Sequence, residues 1–218
     1  YVFGIFINMS YTGEAFQVIS VFGKVIVFIL ALSVVLLLIQ FIAAGVTAKA
    51  DPLKMLLTML PAYFTALGTS SSAATIPVTL EQTKKMGVAE DIVDFCVPLC
   101  ATIHMAGSTM KITGMALAVL ALQGQVPSFS VIAGFICMLG ITMVAAPAVP
   151  GGAVMAALGV LKSALGFTPE NLALMIAVYV AIDSFGTACN VTGDGAISVM
   201  VNRIAGNKLT PVSENSGE

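Results

Sequence analysis

Asp183, Thr187, Asn190 and Asp194 follow one another at spacings of 4, 3 and 4 in an otherwise apolar stretch. On a helix turning about 100° per residue, all four fall within an arc of about 60°. Two carboxylates on one face of an apolar helix are costly unless they meet a cavity, a cation or a partner. The plainer alternative is a polar seam that holds helices together. Carboxylate and amide oxygens, with backbone carbonyls freed near Gly193, are the hard ligands that a small cation such as sodium needs. A second group, Thr102, His104, Ser108 and Lys111, lies in an earlier apolar stretch. His104, Ser108 and Lys111 share a face of a continuous helix, and Gly107 offers a break point. His104 is the only histidine, the residue type that exchanges protons near neutral pH. Lys111 needs an anion at such depth, either Asp183 or a carboxylate solute; otherwise it snorkels to an interface. A third group is the run Ser70, Ser71 and Ser72. At the meeting of two half-helices it would offer hydroxyls, backbone N–H groups and a positive helix end, which suit a carboxylate.

The elements that must position these groups are apolar. The chain has 218 residues, 58% of them hydrophobic and 9% charged. A soluble domain usually carries about 25% charged residues. The composition therefore predicts a protein whose solvent is mostly lipid, read with its long charge-free runs as an all-α integral membrane protein, and argues against a soluble enzyme, a disulfide scaffold and a disordered chain. The formal net charge is −2, and no long basic run suggests nucleic acid as a partner. Cys96, Cys100, Cys137 and Cys189 lie in apolar stretches and read as small buried hydrophobes rather than zinc ligands. The sequence starts at Tyr1 without a cleavable signal, and is expected to be a piece of a longer protein.

Val25 to Ala48 is free of charge and would reach about 36 Å as a helix, enough to cross a membrane. Two later apolar runs are interrupted in the middle, at Leu67-Gly-Thr-Ser-Ser-Ser-Ala-Ala-Thr-Ile-Pro77 and at Ala145-Ala-Pro-Ala-Val-Pro-Gly-Gly152. Each interruption is poor helix material, giving either a kinked span or a re-entrant hairpin. Lys49 and Lys54 precede the first interruption, and Lys84 and Lys85 follow it. A hairpin keeps all four on the cytoplasmic side, as basic residues prefer. The same bias puts Arg203 and Lys208 inside and leaves Lys24 and Lys162 outside. Hairpin plus helix over 51–122 is then followed by hairpin plus helix over 128–205 in the opposite orientation. The expected architecture is an inverted-repeat secondary transporter fold, with two re-entrant helical hairpins and broken transmembrane helices.

Four motifs in order resemble the dicarboxylate/amino acid:cation symporters, the glutamate transporter homologues. They are Thr69-Ser-Ser-Ser-Ala-Ala-Thr-Ile-Pro-Val-Thr79, Pro98-Leu-Cys-Ala-Thr-Ile103, Val149-Pro-Gly-Gly152 and Asn190-Val-Thr-Gly-Asp194. The resemblance covers about residues 1–206. It implies a chain that begins in the fifth membrane helix and continues through both hairpins to the eighth. Residues 1–17 would end a scaffold helix. Residues 18–206 would form a transport domain: helix 20–48, hairpin one 51–86, helix 90–122, hairpin two 127–164 and helix 168–205. Residues 207–218 would be a loose cytoplasmic tail. By the same resemblance, Ser70, Ser71 and Ser72 would hold a substrate α-carboxylate. Val149, Pro150, Gly151, Gly152 and Ala153 would be the extracellular gate, Asp183 would take an α-amino group, and Thr187 and Asn190 would line the pocket. Asp194 and Asn190 with carbonyls near Cys100 and His104 match one sodium site. Thr102 with the carbonyls of Met143, Val144 and Ala146 matches another. Ser108 and Lys111 complete the expected substrate pocket.

The chain also departs from the family. His104-Met105-Ala106-Gly107-Ser108 stands where the family reads Asn-Met-Asp-Gly-Thr, so a ligand for a third sodium ion is missing. Gly186 stands where members that carry acidic substrates have arginine. This turns the expectation toward neutral amino acids, with Lys111 able to restore a positive charge but not arginine's planar fork. The function expected is cation-coupled symport of an amino acid or small carboxylate across the plasma membrane. Sodium, joined by protons if His104 takes part, would be the coupling ion. No other cofactor is expected, and the resemblance implies a homotrimer for the full-length protein. Two rivals remain. Serines, His104 and Asp194 are ingredients of an intramembrane hydrolase, but no Gly-x-Ser-x-Gly motif accompanies them. A passive channel is the other.

Overall fold

The computed structural model describes residues 15–205. Most of the expected scaffold segment 1–17, and the expected tail 207–218, lie outside these residues. Among the described residues ten helices follow in order: α1 Ala15–Ala48, α2 Pro52–Thr58, α3 Leu60–Thr69, α4 Ser72–Lys85, α5 Glu90–Ile103, α6 Ala106–Leu122, α7 Phe129–Met143, α8 Gly152–Leu165, α9 Pro169–Ala181 and α10 Asp183–Ala205. No strand is present among the described residues.

α1 runs for 34 residues without an interior proline. Val27, Phe28, Ile39 and Val46 on it are exposed while Phe22, Ile29, Leu37 and Phe41 are buried. An element apolar on both its inner and outer faces suits a lipid surround. Ser20–Ala48 and Glu90–Leu122 are each long and apolar enough to cross a membrane. The pair α9 and α10, bent by 63°, would make a third span.

Four breaks near the polar groups interrupt the later helices, and two of them have a local cause. α3 ends on Ser70, which is left-handed at φ 50. Ser71 then caps α4 by accepting from the Ala74 N–H at 3.2 Å, so the serine run both stops one helix and starts the next. α7 gives way to a Pro147/Pro150 turn, and α8 starts from Gly151 at φ 73. A Cβ on Gly152 would run into the Pro147 carbonyl, so only glycine fits this turn. α3 packs against α4 and α7 against α8, making two helical hairpins whose tips are the broken segments.

The other two breaks were not legible in the sequence. Gly107 is not the break between α5 and α6. That break falls at His104–Met105, where His104 has extended backbone. Gly107 instead allows a close crossing, because a Cβ there would lie 2.7 Å from the Cys189 Cβ and 2.8 Å from the Gly186 carbonyl oxygen. Helix 168–205 is not one element. It breaks at Ile182, and α10 then continues intact through Gly193. The helix does not open at Gly193 to free carbonyls; that glycine makes room for Gln40 and His104, each of which has an atom 2.6 Å from where a Cβ would stand.

Two apolar cores result. One gathers Met115, Phe135, Leu139, Leu161 and Met175 from α6 to α9. The other gathers Met55, Ala62, Val93, Ala188 and Val199 from α2, α3, α5 and α10. Each broken span contributes one half to each core, and α1 contributes to both.

Candidate functional site

α10 carries the organising side chains. Asp183, Thr187, Asn190 and Asp194 are all buried, and each meets one of the broken ends. Asp183 Oδ2 accepts the Gly151 N–H at 2.7 Å, at the tip of hairpin two. The Thr187 hydroxyl donates to the Ser70 carbonyl at 3.5 Å, at the tip of hairpin one, and to its own helix at the Asp183 carbonyl, 3.2 Å away. Asn190 Oδ1 accepts the N–H groups of Gly107 at 2.8 Å and Ser108 at 3.3 Å, which are the orphan donors of the first turn of α6. Asp194 Oδ1 lies 2.8 Å from His104 Nδ1, at the end of α5.

The two tips also touch. The Ser71 hydroxyl donates to the Ala148 carbonyl at 2.9 Å, and the Ala73 N–H reaches the same oxygen at 3.3 Å. Between tips and helices lies a polar cavity lined by the expected Ser70, Ser72, Ser108, Val149, Ala153, Asp183, Thr187 and Asn190. Met105, Pro147, Ala148 and Tyr179 complete it. Its free space is about 10 Å3, room for about one water. Ser71, Gly151 and Gly152 hold the tips without lining this space, and Pro150 is exposed.

Lys111 does not snorkel. It is fully buried, and its ammonium pairs with Asp183 Oδ1 at 2.9 Å. It also donates to the Ile182 carbonyl at 3.3 Å, the acceptor left free by the break before α10. The Tyr179 ring lies beneath it, 3.5 Å from Nζ to the centroid, a cation–π contact. The break at Ile182 is therefore stabilised from another helix, which is why no breaker residue marks it.

The residues expected around sodium are engaged in other ways. The Asn190 oxygen caps α6, and the Cys100 carbonyl accepts the His104 N–H at 2.8 Å. The second ring nitrogen of His104 lies 3.1 Å from Gln40 Nε2. Thr102 is exposed and its hydroxyl donates to the Leu99 carbonyl at 2.8 Å. Among the described residues no hydrogen bond joins it to Met143, Val144 or Ala146. The Met143 carbonyl accepts the Ala146 N–H at 3.1 Å.

Tyr179 and Gln40 were missed in the sequence, although each carried a signal. Tyr179 stands four residues before Asp183, and Gln40 interrupts the apolar run of α1. The Tyr179 hydroxyl and Gln40 Oε1 are buried without a hydrogen-bond partner among the described residues.

Comparison with known proteins follows the same line. The model of the sodium:dicarboxylate symporter family matches residues 1–204. An excitatory amino acid transporter of Caenorhabditis elegans is 31% identical over 150 residues, covering 68% of this chain and 30% of that protein. Excitatory amino acid transporter 3 of Mus musculus is 33% identical over 187 residues, covering 84% of this chain and 34% of that protein. Excitatory amino acid transporter 2 of Homo sapiens is 29% identical over 168 residues, covering 77% and 29%. The chain thus spans about a third of the length of the curated relatives it matches. The family is one of transporters rather than enzymes, and with its apolar helices this places the chain among multi-pass proteins of the cell membrane. Taken with the family match over nearly its whole length, the chain belongs to the sodium:dicarboxylate symporter family.

Proposed function

We propose that the intact protein performs cation-coupled symport of an amino acid or small carboxylate across the plasma membrane by alternating access. The observation that carries this reading is the convergence of both hairpin tips and the polar face of α10 on one polar cavity. In this reading the hairpins are re-entrant, and the two hairpin-plus-helix units form an inverted repeat. Residues 18–206 are the moving domain, and the full-length protein is a homotrimer. Substrate enters when the tips part, and it meets the hydroxyls of Ser70, Ser72, Ser108 and Thr187. Val149 to Ala153 act as the gate.

Sodium is the coupling ion, which the family description supports, with Asp194 its principal anionic ligand. A buried carboxylate is costly until a cation offsets it, so cation binding would favour closure. Protons are a second coupling ion on this reading, favoured by the 2.8 Å contact between His104 and Asp194. Uptake into proteoliposomes under separately imposed sodium and proton gradients tests both. Asp194→Asn is expected to weaken sodium-driven uptake; unchanged sodium dependence in that variant removes its assigned role. Concentrative uptake also separates a symporter from a channel.

A further inference from the structure

Among the described residues Asp183 is the one carboxylate that lines the cavity, and both of its oxygens are taken. Oδ1 accepts from the Lys111 ammonium at 2.9 Å and Oδ2 from the Gly151 N–H at 2.7 Å. The lysine is locked in place by the Ile182 carbonyl and the Tyr179 ring. Its room comes from Gly186, where a Cβ would lie 3.1 Å from Nζ and 3.2 Å from Cε. An incoming ammonium group would therefore find no free carboxylate, and would meet a like charge beside the one that is present. The Asn190 oxygen is also occupied, by two backbone N–H groups. What the walls still offer is mostly hydroxyl donors: Ser70, Ser72, Ser108, and the hydroxyl of Tyr179, which has no partner among the described residues. Donors without a free anionic acceptor suit an acceptor ligand.

We propose that Lys111 is a built-in counter-ion occupying the position that a substrate amine would need, so that the cavity takes a small carboxylate bearing no amino group. This rests on reading the cavity as the substrate site, and it narrows that reading to one chemical class. Lys111 is the specificity-determining residue, and Gly186 is the absence of a side chain that lets it act.

The test is sodium-driven uptake by the intact protein in proteoliposomes, using pairs that differ only in the α-amino group: succinate against aspartate, and propionate against alanine. The amine-free member of at least one pair is expected to enter about tenfold or more faster, since a site with its polar groups already paired strongly rejects the wrong partner. Equal or better uptake of the amino acids overturns the inference while leaving the transport function standing. Uptake of neither member of either pair overturns both. A second measurement uses Lys111→Met, which frees Asp183 Oδ1 for a substrate ammonium. The folded variant is expected to shift the ratio about tenfold toward the amino acid, and an unchanged ratio counts against the assignment. Should the variant fail to fold, the wild-type pairs decide the question alone.

Discussion

Lys111 and Asp183 are both withdrawn from solvent, with side chains 1% and 7% exposed. A buried ion pair returns its desolvation cost only when its remaining donors and acceptors are bonded. Here Gly151, Ile182 and the Tyr179 ring supply those bonds. Removing one partner strands the other charge. Lys111→Met and Asp183→Asn are each expected to cost roughly 3–5 kcal/mol of stability, and the double variant less than the sum of the two. Thermal unfolding of the four proteins in detergent measures the coupling; additive costs would mean that the pair does not act as a unit. The sequence made Asp183 a candidate partner because an intramembrane lysine needs an anion. It left open a solute as the alternative, since the register of α6 against α10 depends on Gly107 and on the break at Ile182. Neither constraint is local to Lys111.

At the scale of the element, α10 works as a spine for four broken ends. Its 4, 3, 4 spacing was legible in the sequence because a helical period needs only residue types and positions. The hairpin tips were legible too, because Ser70–Ser72, Pro147, Pro150 and Gly151 are local stop and start signals. The breaks at His104–Met105 and Ile182 were not, because their free backbone groups are satisfied across helices, by Asn190 and by Lys111. Asn190→Ala is expected to cost about 1–3 kcal/mol, since it leaves two buried N–H groups without an acceptor. Amide exchange should speed up at Gly107 and Ser108 while the interior of α10 stays protected; uniform exchange along α6 would refute the capping role. Close approach gives a sharper contrast. Gly107→Ala would press a Cβ against Cys189 and the Gly186 backbone, an overpacking expected to cost about 1–3 kcal/mol. Gly159→Ala on α8 meets nothing within 4 Å among the described residues, and should stabilise by about 0.5–1 kcal/mol through helix propensity. Thermal unfolding of the two variants reads the difference directly.

At the scale of the whole molecule, the described state is closed. The tips are joined through Ser71, Ala73 and Ala148, Gly151 is tied to Asp183, and about 10 Å3 remains between them. No carboxylate or amino acid fits that space, so the proposed transport cycle requires the tips to part. The two cores make this mechanically reasonable. Hairpin one packs into the core shared by α5 and α10, and hairpin two into the core shared by α6 and α9. The tips are joined by a few hydrogen bonds, and most of each apolar cluster lies away from them. A covalent bond across the tips should therefore stop transport without unfolding the protein. Ala73→Cys with Ala148→Cys places two thiols beside the 3.3 Å contact between these residues. The native Cys96, Cys100, Cys137 and Cys189 are free thiols and are first replaced by alanine or serine. Oxidation of the double variant is expected to abolish uptake, and a reductant to restore it, while each single variant stays insensitive. Full uptake by the cross-linked protein would mean that substrate reaches its site by a route that leaves the tips closed, and would remove hairpin opening from the cycle.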